Sequence, residues 1–315
     1  MPEAPIDTAA FIEGAELIPT IAAGVPELVA ASDGYVGRKL GATFWVAVVW
    51  LAFLGALFLL IPVLGFIKDP SRSDYQAFNG APPSAAHWFG ADDTGRDVFA
   101  RVLWGGRVSL SIGVVSLTLG LVIGGAIGVT AGFFRGRYER LVMACMDVML
   151  SFPALILALA LIAMLSPPGE QAGSFWKVVT VLTILAVPAL ARITRANTLV
   201  FSQREFVLAA RAMGAKPMRI LLRDILPNVL PAMLSFAFIA MAILVVAEGA
   251  LSFLGVSVEA PAVTWGKLID GGRTQLDSSP WIALFPCGAL FLTLLALNLV
   301  GDKLQSRFSV REANV

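Results

Sequence analysis

Six long apolar stretches decide what this chain can fold into. The hydrocarbon core of a bilayer is about 30 Å thick, and a helix needs roughly 20 apolar residues to cross it. Six windows of the sequence meet this requirement: 41–67, 108–133, 141–165, 177–199, 228–254 and 281–300. Lipid offers no hydrogen-bond partners to the backbone, so runs of this length must form helices. The sequence therefore predicts an all-α membrane protein with six transmembrane helices, in which Pro153 and Pro188 mark kinks within spans.

The composition supports a membrane location. Hydrophobic residues make up 57% of the 315-residue chain and charged residues only 14%, whereas soluble domains carry about 25% charged residues. The formal net charge is +1, so we expect no nucleic-acid partner. Cys145 and Cys287 lie in or beside predicted spans and lack metal-ligand spacing, which predicts that they are small apolar fillers.

The distribution of lysine and arginine predicts the orientation of the chain. If the N-terminus is cytoplasmic, the inner segments hold fifteen of these residues and the outer segments eight, in agreement with the positive-inside rule. We therefore expect a multi-pass protein with both termini in the cytoplasm. Residues 1–40 form an acidic cytoplasmic tail, 68–107 an extracytoplasmic loop, 108–300 the core of the membrane domain, and 301–315 a second cytoplasmic tail.

The loop of residues 200–227 is basic and rich in alanine, and the orientation places it in the cytoplasm. Glu205 to Met213 contains good helix formers. Gly214 stands where a helix ends in the left-handed conformation, and the following Lys216-Pro217 prevents its continuation. Pro217 is expected to open a second short helix, which ends at Pro227. An apolar face is predicted on the first helix, made of Phe206, Ala209, Ala210 and Met213.

Such a loop predicts a docking surface for a cytoplasmic partner. The simpler alternative is a basic loop that lies on anionic headgroups. That alternative needs only the charges, and it does not explain the alanine face or the break at glycine and proline.

Several ordered motifs resemble one family of transport proteins. Ala209-Ala210, Gly214 and the Asp224-to-Pro227 segment resemble the EAA loop of ABC importer permeases. The wider match is to the second permease subunit of the dipeptide/oligopeptide/nickel importers. It rests on the stretches 87–97 (HWFGADDTGRD), 151–153 (SFP), 250–255 (ALSFLG), 265–266 (WG), 280–281 (PW) and 298–302 (NLVGD).

This resemblance implies a fold, partners and site residues. The fold would be that of a type I ABC importer permease in a prokaryotic inner membrane. A second homologous permease, two cytoplasmic ATPases that carry ATP and magnesium, and an extracytoplasmic binding protein would complete the transporter. The residues implied in coupling to the ATPases are Glu205, Leu208, Ala209, Ala210, Arg211, Gly214, Ala215 and Lys216. Leu208 departs from the general motif, which has glutamate there, and Asp224 replaces its isoleucine.

The resemblance implies uptake of di- or oligopeptides. Nickel, glutathione or another small solute remains an alternative cargo. The chain lacks the glycine-rich phosphate loop of nucleotide hydrolases and a serine–histidine pair placed for nucleophilic catalysis. We therefore predict no catalytic residue, no metal site and no cofactor on this chain, so that energy must come from a partner.

An aspartate cluster offers the one enzymatic alternative. Asp92, Asp93 and Asp97 could hold magnesium for a phosphorylated substrate. The structural interpretation is simpler: Asp92 or Thr94 caps the following helix, and Asp97 pairs with Arg101 one turn later. We expect His87 to be a solvated loop histidine.

Two ionisable residues inside predicted spans are candidates for the translocation path. Glu248 is the deepest, and a charge at such depth needs a cavity or a partner. It either lines the path or is satisfied by a hydrogen bond or an arginine from another helix. Asp147 is the second candidate, with a structural pairing to a basic residue at the inner surface as the alternative.

A stripe of small residues predicts close helix packing in the second span. Gly120, Gly124, Gly128 and Gly132 recur every four residues, and Ser116 precedes them on the same face. Such stripes let the backbones of membrane helices approach closely. A pure scaffold protein would need this packing too, but it would leave Glu248 unexplained.

Overall fold

The computed structural model describes residues 41–63, 65, 67–78, 80–166 and 174–313, and it is helical through most of them. The acidic tail of residues 1–40 lies outside the described residues. Nine helices are found in these ranges. They are α1 (Ala42–Leu60), α2 (Val98–Phe134), α3 (Gly136–Ser151), α4 (Ala154–Leu165), α5 (Phe175–Phe201), α6 (Glu205–Ala212), α7 (Pro217–Phe253), α8 (Trp265–Arg273) and α9 (Trp281–Ala313).

Five of these helices are long and apolar enough to cross a membrane: α1, α2, α5, α7 and α9. The bent pair α3 and α4 makes a sixth candidate if it is counted as one span. The predicted kink at Pro153 is larger than a kink within one helix, because the helix is interrupted there and α3 and α4 meet at 97°. Pro188, in contrast, lies inside the continuous helix α5.

Several predicted boundaries also differ from the structure. Helix α2 begins at Val98, ten residues before the predicted span, because the Asp97 carboxylate accepts a hydrogen bond from the Ala100 N–H and caps the helix. Helix α9 continues past residue 300 to Ala313, so the predicted second tail is largely a helical extension. Helix α1 ends at Leu60, shortly before Pro62.

The core forms where α2, α5 and α7 meet. Ile112 of α2, Leu182 of α5 and Leu251 of α7 are buried together in one apolar cluster. A second cluster joins α1, α2 and α8 around Trp265, whose indole N–H donates to the Val102 carbonyl at 2.8 Å. Helix α3 buries none of its residues within the subunit.

The stripe of small residues on α2 packs against α5. Ser116 Oγ donates to the Val179 carbonyl at 3.3 Å. A methyl group added at Gly124 would come within 2.8 Å of the Val187 carbonyl, and one at Gly132 within 2.8 Å of Thr198 Cβ. At Gly120 the nearest atom would be Leu190 Cδ1, and at Gly128 the Ala191 carbonyl oxygen. The two helices therefore approach closely along the stripe, and at Gly124, Gly128 and Gly132 they leave no space for a side chain.

Candidate functional site

Helix α6 ends in a cap that glycine makes possible. Gly214 has φ +75°, a left-handed conformation that costs other residues about 1 kcal/mol or more. The Gly214 N–H donates to the Arg211 carbonyl and the Ala215 N–H to the Ala210 carbonyl, both at 3.0 Å. This pair of bonds is the Schellman motif. It turns the chain sharply before Lys216, so that Pro217 begins α7.

A small apolar anchor holds α6 against the membrane helices. Val207 is fully buried and packs in a cluster with Phe133 of α2 and Ile220 of α7. Ala210 and Ala215 pack against the same cluster. The predicted apolar face therefore divides in the structure: Ala210 packs inward beside Val207, which the sequence pattern does not single out, whereas Phe206, Ala209 and Met213 are exposed.

The other side of α6 exposes long apolar side chains. Met213 is 81% exposed, Leu208 54% and Phe206 41%, and Met218 at the start of α7 is 53% exposed. Ala209 is exposed as well, together with the charged residues Glu205, Arg211 and Lys216. We call this set the exposed loop face. Flexible apolar side chains rimmed by charges are typical of protein-binding surfaces.

The prediction that Pro227 ends a second short helix is wrong. The chain from Pro217 to Phe253 is one helix, in which the turn Ile220–Ile225 is a π-helix. A proline ring in an α-helix clashes with the carbonyl four residues earlier. The wider π turn immediately before Pro227 changes this register, because the Leu226 N–H bonds to the Leu221 carbonyl five residues back. The loop is therefore joined to the membrane span by a continuous helix.

Glu248 is buried and fully engaged by hydroxyl groups. Glu248 is only 1% exposed. Ser109 Oγ of α2 donates to Oε2 at 2.9 Å, and Ser257 Oγ donates to Oε1 at 2.8 Å. The backbone N–H of Trp265 in turn donates to Ser109 Oγ at 3.1 Å. Within this subunit the carboxylate links α2, α7 and α8, and it reaches no open surface.

Asp147 lies in a different environment from Glu248. Its Oδ1 is 3.6 Å from Nε of Arg192 on α5, and both side chains are 58% exposed. Two turns earlier on α3, Glu139 accepts a hydrogen bond from Arg195 Nε at 2.7 Å, and the Glu139 side chain is only 15% exposed. Two ion pairs thus join α3 to α5, one of them compact and the other open. The sequence predicts a basic partner for Asp147 at the inner surface, as the alternative to a place in the path, and the structure identifies that partner as Arg192.

The aspartate cluster is engaged within the first loop, residues 61–97. Asp92 Oδ1 accepts hydrogen bonds from the backbone N–H groups of Thr94 and Arg96, both at 2.9 Å. Arg101, the predicted partner of Asp97, pairs with Asp92 instead. The helix cap is Asp97 and not Asp92 or Thr94. Asp92 and Asp97 thus stabilise the loop and the start of α2, whereas Asp93 is exposed. Among the described residues no group of three or more potential metal ligands is found.

Two further expectations about single residues are wrong. His87 is 5% exposed, and its Nδ1 lies 2.8 Å from Asp97 Oδ2, so it is a buried part of the first loop. Its Nε2 lies 3.4 Å from Asp74 Oδ2. Cys145 and Cys287 are both exposed on the subunit and fill no core. The sequence could not show these environments, because they depend on contacts between distant segments.

The charges around Asp92 determine its ionisation. Burial alone would raise the pKa of Asp92, but the Arg96 N–H, the guanidinium groups of Arg101 and Arg96 and the Thr94 hydroxyl outweigh it. The pKa of Asp92 is therefore lower than its ordinary value. On α8, burial next to Arg101 lowers the pKa of Lys267.

Comparison with known proteins identifies the family. A model of the family described as "binding-protein-dependent transport system inner membrane component" matches residues 124–312. The chain belongs to this family. The matched range includes α5, α6, α7 and the exposed loop face, so these elements belong to the part of the chain that defines the family.

Curated relatives place the permease among ABC importers. The glutathione transport system permease protein GsiD of Shigella dysenteriae is 39% identical over 263 residues, which cover 81% of this chain and 84% of the relative. The protein of the same name from Pectobacterium atrosepticum is 38% identical over 232 residues, with 74% and 75% covered. The chain is thus a permease subunit of an ABC importer and a multi-pass inner-membrane protein.

Solved structures agree on the fold. Two inward-facing crystal forms of the MetNI methionine ABC transporter match this chain with TM-scores of 0.55 and 0.54. The identities are 23% and 22%; each match covers 67% of this chain, and 97% and 96% of the solved chain. The predicted type I importer permease fold is confirmed.

Proposed function

We propose that this permease forms, together with a second homologous permease, the membrane path for uptake of small peptides of the glutathione type. The cargo is suggested by the relatives, which are named for glutathione transport. Glutathione is itself a short peptide, so this cargo falls between the di- and oligopeptides and the small solutes considered from the sequence. A binding protein outside the membrane delivers the cargo, and two ATPases supply the energy by binding ATP and magnesium.

The exposed loop face is the docking site for one of these ATPases. The observation that carries this assignment is the combination of an anchored inner side and an open outer side. Val207 is fully buried, whereas Met213 and Leu208 are 81% and 54% exposed. An isolated subunit has no stability reason to leave these side chains in water. A partner with an apolar groove would cover them.

The mechanical link follows from the continuous helix α7. A displacement of α6 reaches Pro217 through only the four residues 213–216, and α7 continues from there into the membrane. Closure of the ATPases on ATP moves the docked loop as a rigid body, and the path alternates between its two sides. The absence of glutamate at Leu208 means that this contact is apolar where the general motif is charged.

The test is reconstitution of the complex in proteoliposomes with its partner permease, ATPases and binding protein. We expect ATP-dependent uptake of labelled glutathione, and no uptake of nickel ions alone. Met213→Glu should release the ATPases on purification and abolish uptake, because it places a charge in an apolar contact. Tyr75→Glu, at an equally exposed position (84%) in the first loop, is the matched control and should change neither.

Two outcomes would contradict the proposal. If the complex transports nickel ions and no peptide, the cargo assignment is wrong. If Met213→Glu co-purifies with the ATPases and transports normally, the exposed loop face is not the docking site. Replacement of Arg219 and Lys216 by glutamine distinguishes the headgroup alternative, since only a loop bound to anionic lipid would depend mainly on those charges.

A further inference from the structure

The open ion pair between Asp147 and Arg192 lies where charges are costly. Arg192 is nine residues before the end of α5 at Phe201, which corresponds to about 14 Å along the helix. The helix has 27 residues and is about 40 Å long, so it exceeds a hydrocarbon core of about 30 Å by only about 10 Å. Arg192 therefore falls within the apolar layer, and Asp147 lies next to it on α3.

Lipid is an unfavourable neighbour for this pair. Both side chains are 58% exposed on the subunit. On insertion scales a charged residue costs about 2.5 kcal/mol or more at the centre of a membrane helix, and less towards the helix ends. Arg192 lies about 4 to 14 Å inside the cytoplasmic edge of the core, so a face turned to water or to another protein is favoured. In a permease, the water-filled region at this depth is the cargo path.

The geometry of the pair shows that its hydrogen-bonding capacity is not used up. A separation of 3.6 Å between Asp147 Oδ1 and Arg192 Nε is an ion-pair contact and not a hydrogen bond. The neighbouring pair of Glu139 and Arg195 differs, because it is hydrogen-bonded at 2.7 Å and its carboxylate is largely covered. A pair that only fastened α3 to α5 would resemble this second one.

The surroundings leave room for a ligand. Helix α3 buries none of its residues, and the chain breaks by 97° one turn after Asp147. Ser151, Phe152 and Pro153 at this break are all exposed. The broken span thus opens the face beside Asp147 and does not cover it with a further helical turn.

We propose that Asp147 and Arg192 line the cargo path and bind an ammonium group and a neighbouring carboxylate group of a peptide as it passes. The Asp147 carboxylate receives the peptide ammonium group, and the Arg192 guanidinium receives a peptide carboxylate. Arginine is suited to this task because its planar guanidinium forms paired hydrogen bonds with carboxylates. The cargo class is a zwitterion; a bare metal cation would be repelled by Arg192. This assignment deepens the proposed function and rests on it.

The experiment compares variants of the open pair with variants of the compact pair in the reconstituted complex. Asp147→Asn and Arg192→Gln should each lower glutathione uptake about tenfold, the loss expected for one charge-assisted hydrogen bond. Co-purification of the subunits should be unchanged. The decisive variant is the charge swap Asp147→Arg with Arg192→Asp. It restores an ion pair but presents the wrong charge to each of the two charged groups of the cargo, so uptake should stay low.

The swap Glu139→Arg with Arg195→Glu is the matched control. A pair that only joins helices is rescued by exchange of its charges, so this double variant should recover the uptake lost in Glu139→Gln. If the Asp147/Arg192 swap also recovers uptake, the open pair is a structural link and the inference is overturned. If the wild-type complex transports no peptide at all, it is the proposed function that fails.

A second measurement does not depend on transport. In a background with Cys145→Ser and Cys287→Ser, Asp147→Cys should react with a water-soluble charged thiol reagent. S-methylglutathione, which has no free thiol to consume the reagent, should slow the reaction when it is added to the complex. Phe53→Cys, near the middle of α1 and 55% exposed, should not react. An Asp147→Cys variant as unreactive as Phe53→Cys would show that this face is dry and would overturn the inference.

Discussion

Ser109 and Glu248 are joined by a 2.9 Å hydrogen bond although they are 139 positions apart in the sequence. The bond ties α2 to α7, and the Trp265 N–H extends it to α8. A buried carboxylate with hydroxyl donors on both oxygens is a structural junction. The path interpretation of Glu248 receives no support from its position in this subunit, and it stays a prediction that transport measurements can test.

Removal of the Ser109 hydroxyl should destabilise the permease. Ser109→Ala leaves a buried carboxylate oxygen without a donor, which costs about 1–3 kcal/mol. The thermal midpoint of the purified subunit should fall clearly below that of Thr118→Ala, because Thr118 is on the same helix but bonds only to its own backbone on an exposed face. Equal thermal midpoints would contradict a stabilising role for the Ser109–Glu248 hydrogen bond.

Glu248→Gln separates the two interpretations of this residue. The amide keeps one acceptor but replaces the other oxygen with a donor, so either the Ser109 or the Ser257 hydroxyl can no longer donate to it and has to turn to accept. We expect a lower thermal midpoint and normal uptake of glutathione at temperatures where the variant is folded. Normal stability with lost uptake would instead favour a place for Glu248 in the path.

The glycine stripe should tolerate no added methyl group where α2 meets α5. A Cβ at Gly128 would lie 2.7 Å from Thr194 Cβ and 2.9 Å from the Arg195 nitrogen, so the backbones must separate. Overpacking of this kind costs about 1–3 kcal/mol. Gly288→Ala on α9 is the control, since no atom lies within 4 Å of its added methyl group. It should stabilise slightly, because alanine favours helix by about 0.5–1 kcal/mol.

The stripe and the apolar runs were predictable because each is a local pattern with one physical solution. The contact between Arg101 and Asp92 was not, since helical spacing favoured Asp97, and the folded first loop instead uses Asp97 to cap α2. The positions of the prolines likewise could not predict how strongly each helix would bend. Pro153 accompanies a break of 97°, Pro188 lies within an intact helix, and Pro227 is accommodated by a π turn.

The candidate site was predicted in outline and missed in detail for the same reason. The end of α6 follows from the glycine and proline letters alone. The anchor Val207 and the pairing of Arg192 with Asp147 depend on which helices lie side by side. No local spacing contains that information.

Acid should destabilise the first loop through Asp92. The pKa of this carboxyl is lower in the folded protein than its ordinary value, so its ionised form stabilises the fold. That contribution is complete above the unfolded-state pKa of about 4 and disappears as the pH falls through the lower folded value. The thermal midpoint of Asp92→Asn should be below that of the wild type at pH 7, and the two should converge at the acid end. A constant difference at every pH would show that Asp92 contributes through packing alone.

The orientation of the chain can be measured directly. In the background without native cysteines, Glu205→Cys should react with an impermeant thiol reagent only from the cytoplasmic side, because the positive-inside rule places the basic loop there. Asp93→Cys, exposed in the first loop, should react only from outside. The reverse pattern would remove the docking role of the exposed loop face, since ATP is hydrolysed in the cytoplasm.

Gly214→Trp tests the loop without touching the membrane helices. An added Cβ at Gly214 meets no atom within 4 Å, so the side chain projects outward beside Met213 and does not disturb the Val207 anchor. The left-handed conformation costs about 1–2 kcal/mol for a residue other than glycine, and Gly214→Ala carries that cost without the bulk. Both variants should insert into the membrane, and only the tryptophan should abolish the ATP hydrolysis that the loaded binding protein stimulates in the complex. If both lose this activity equally, the cause is the strained cap; if both keep it, no ATPase surface closes over Gly214.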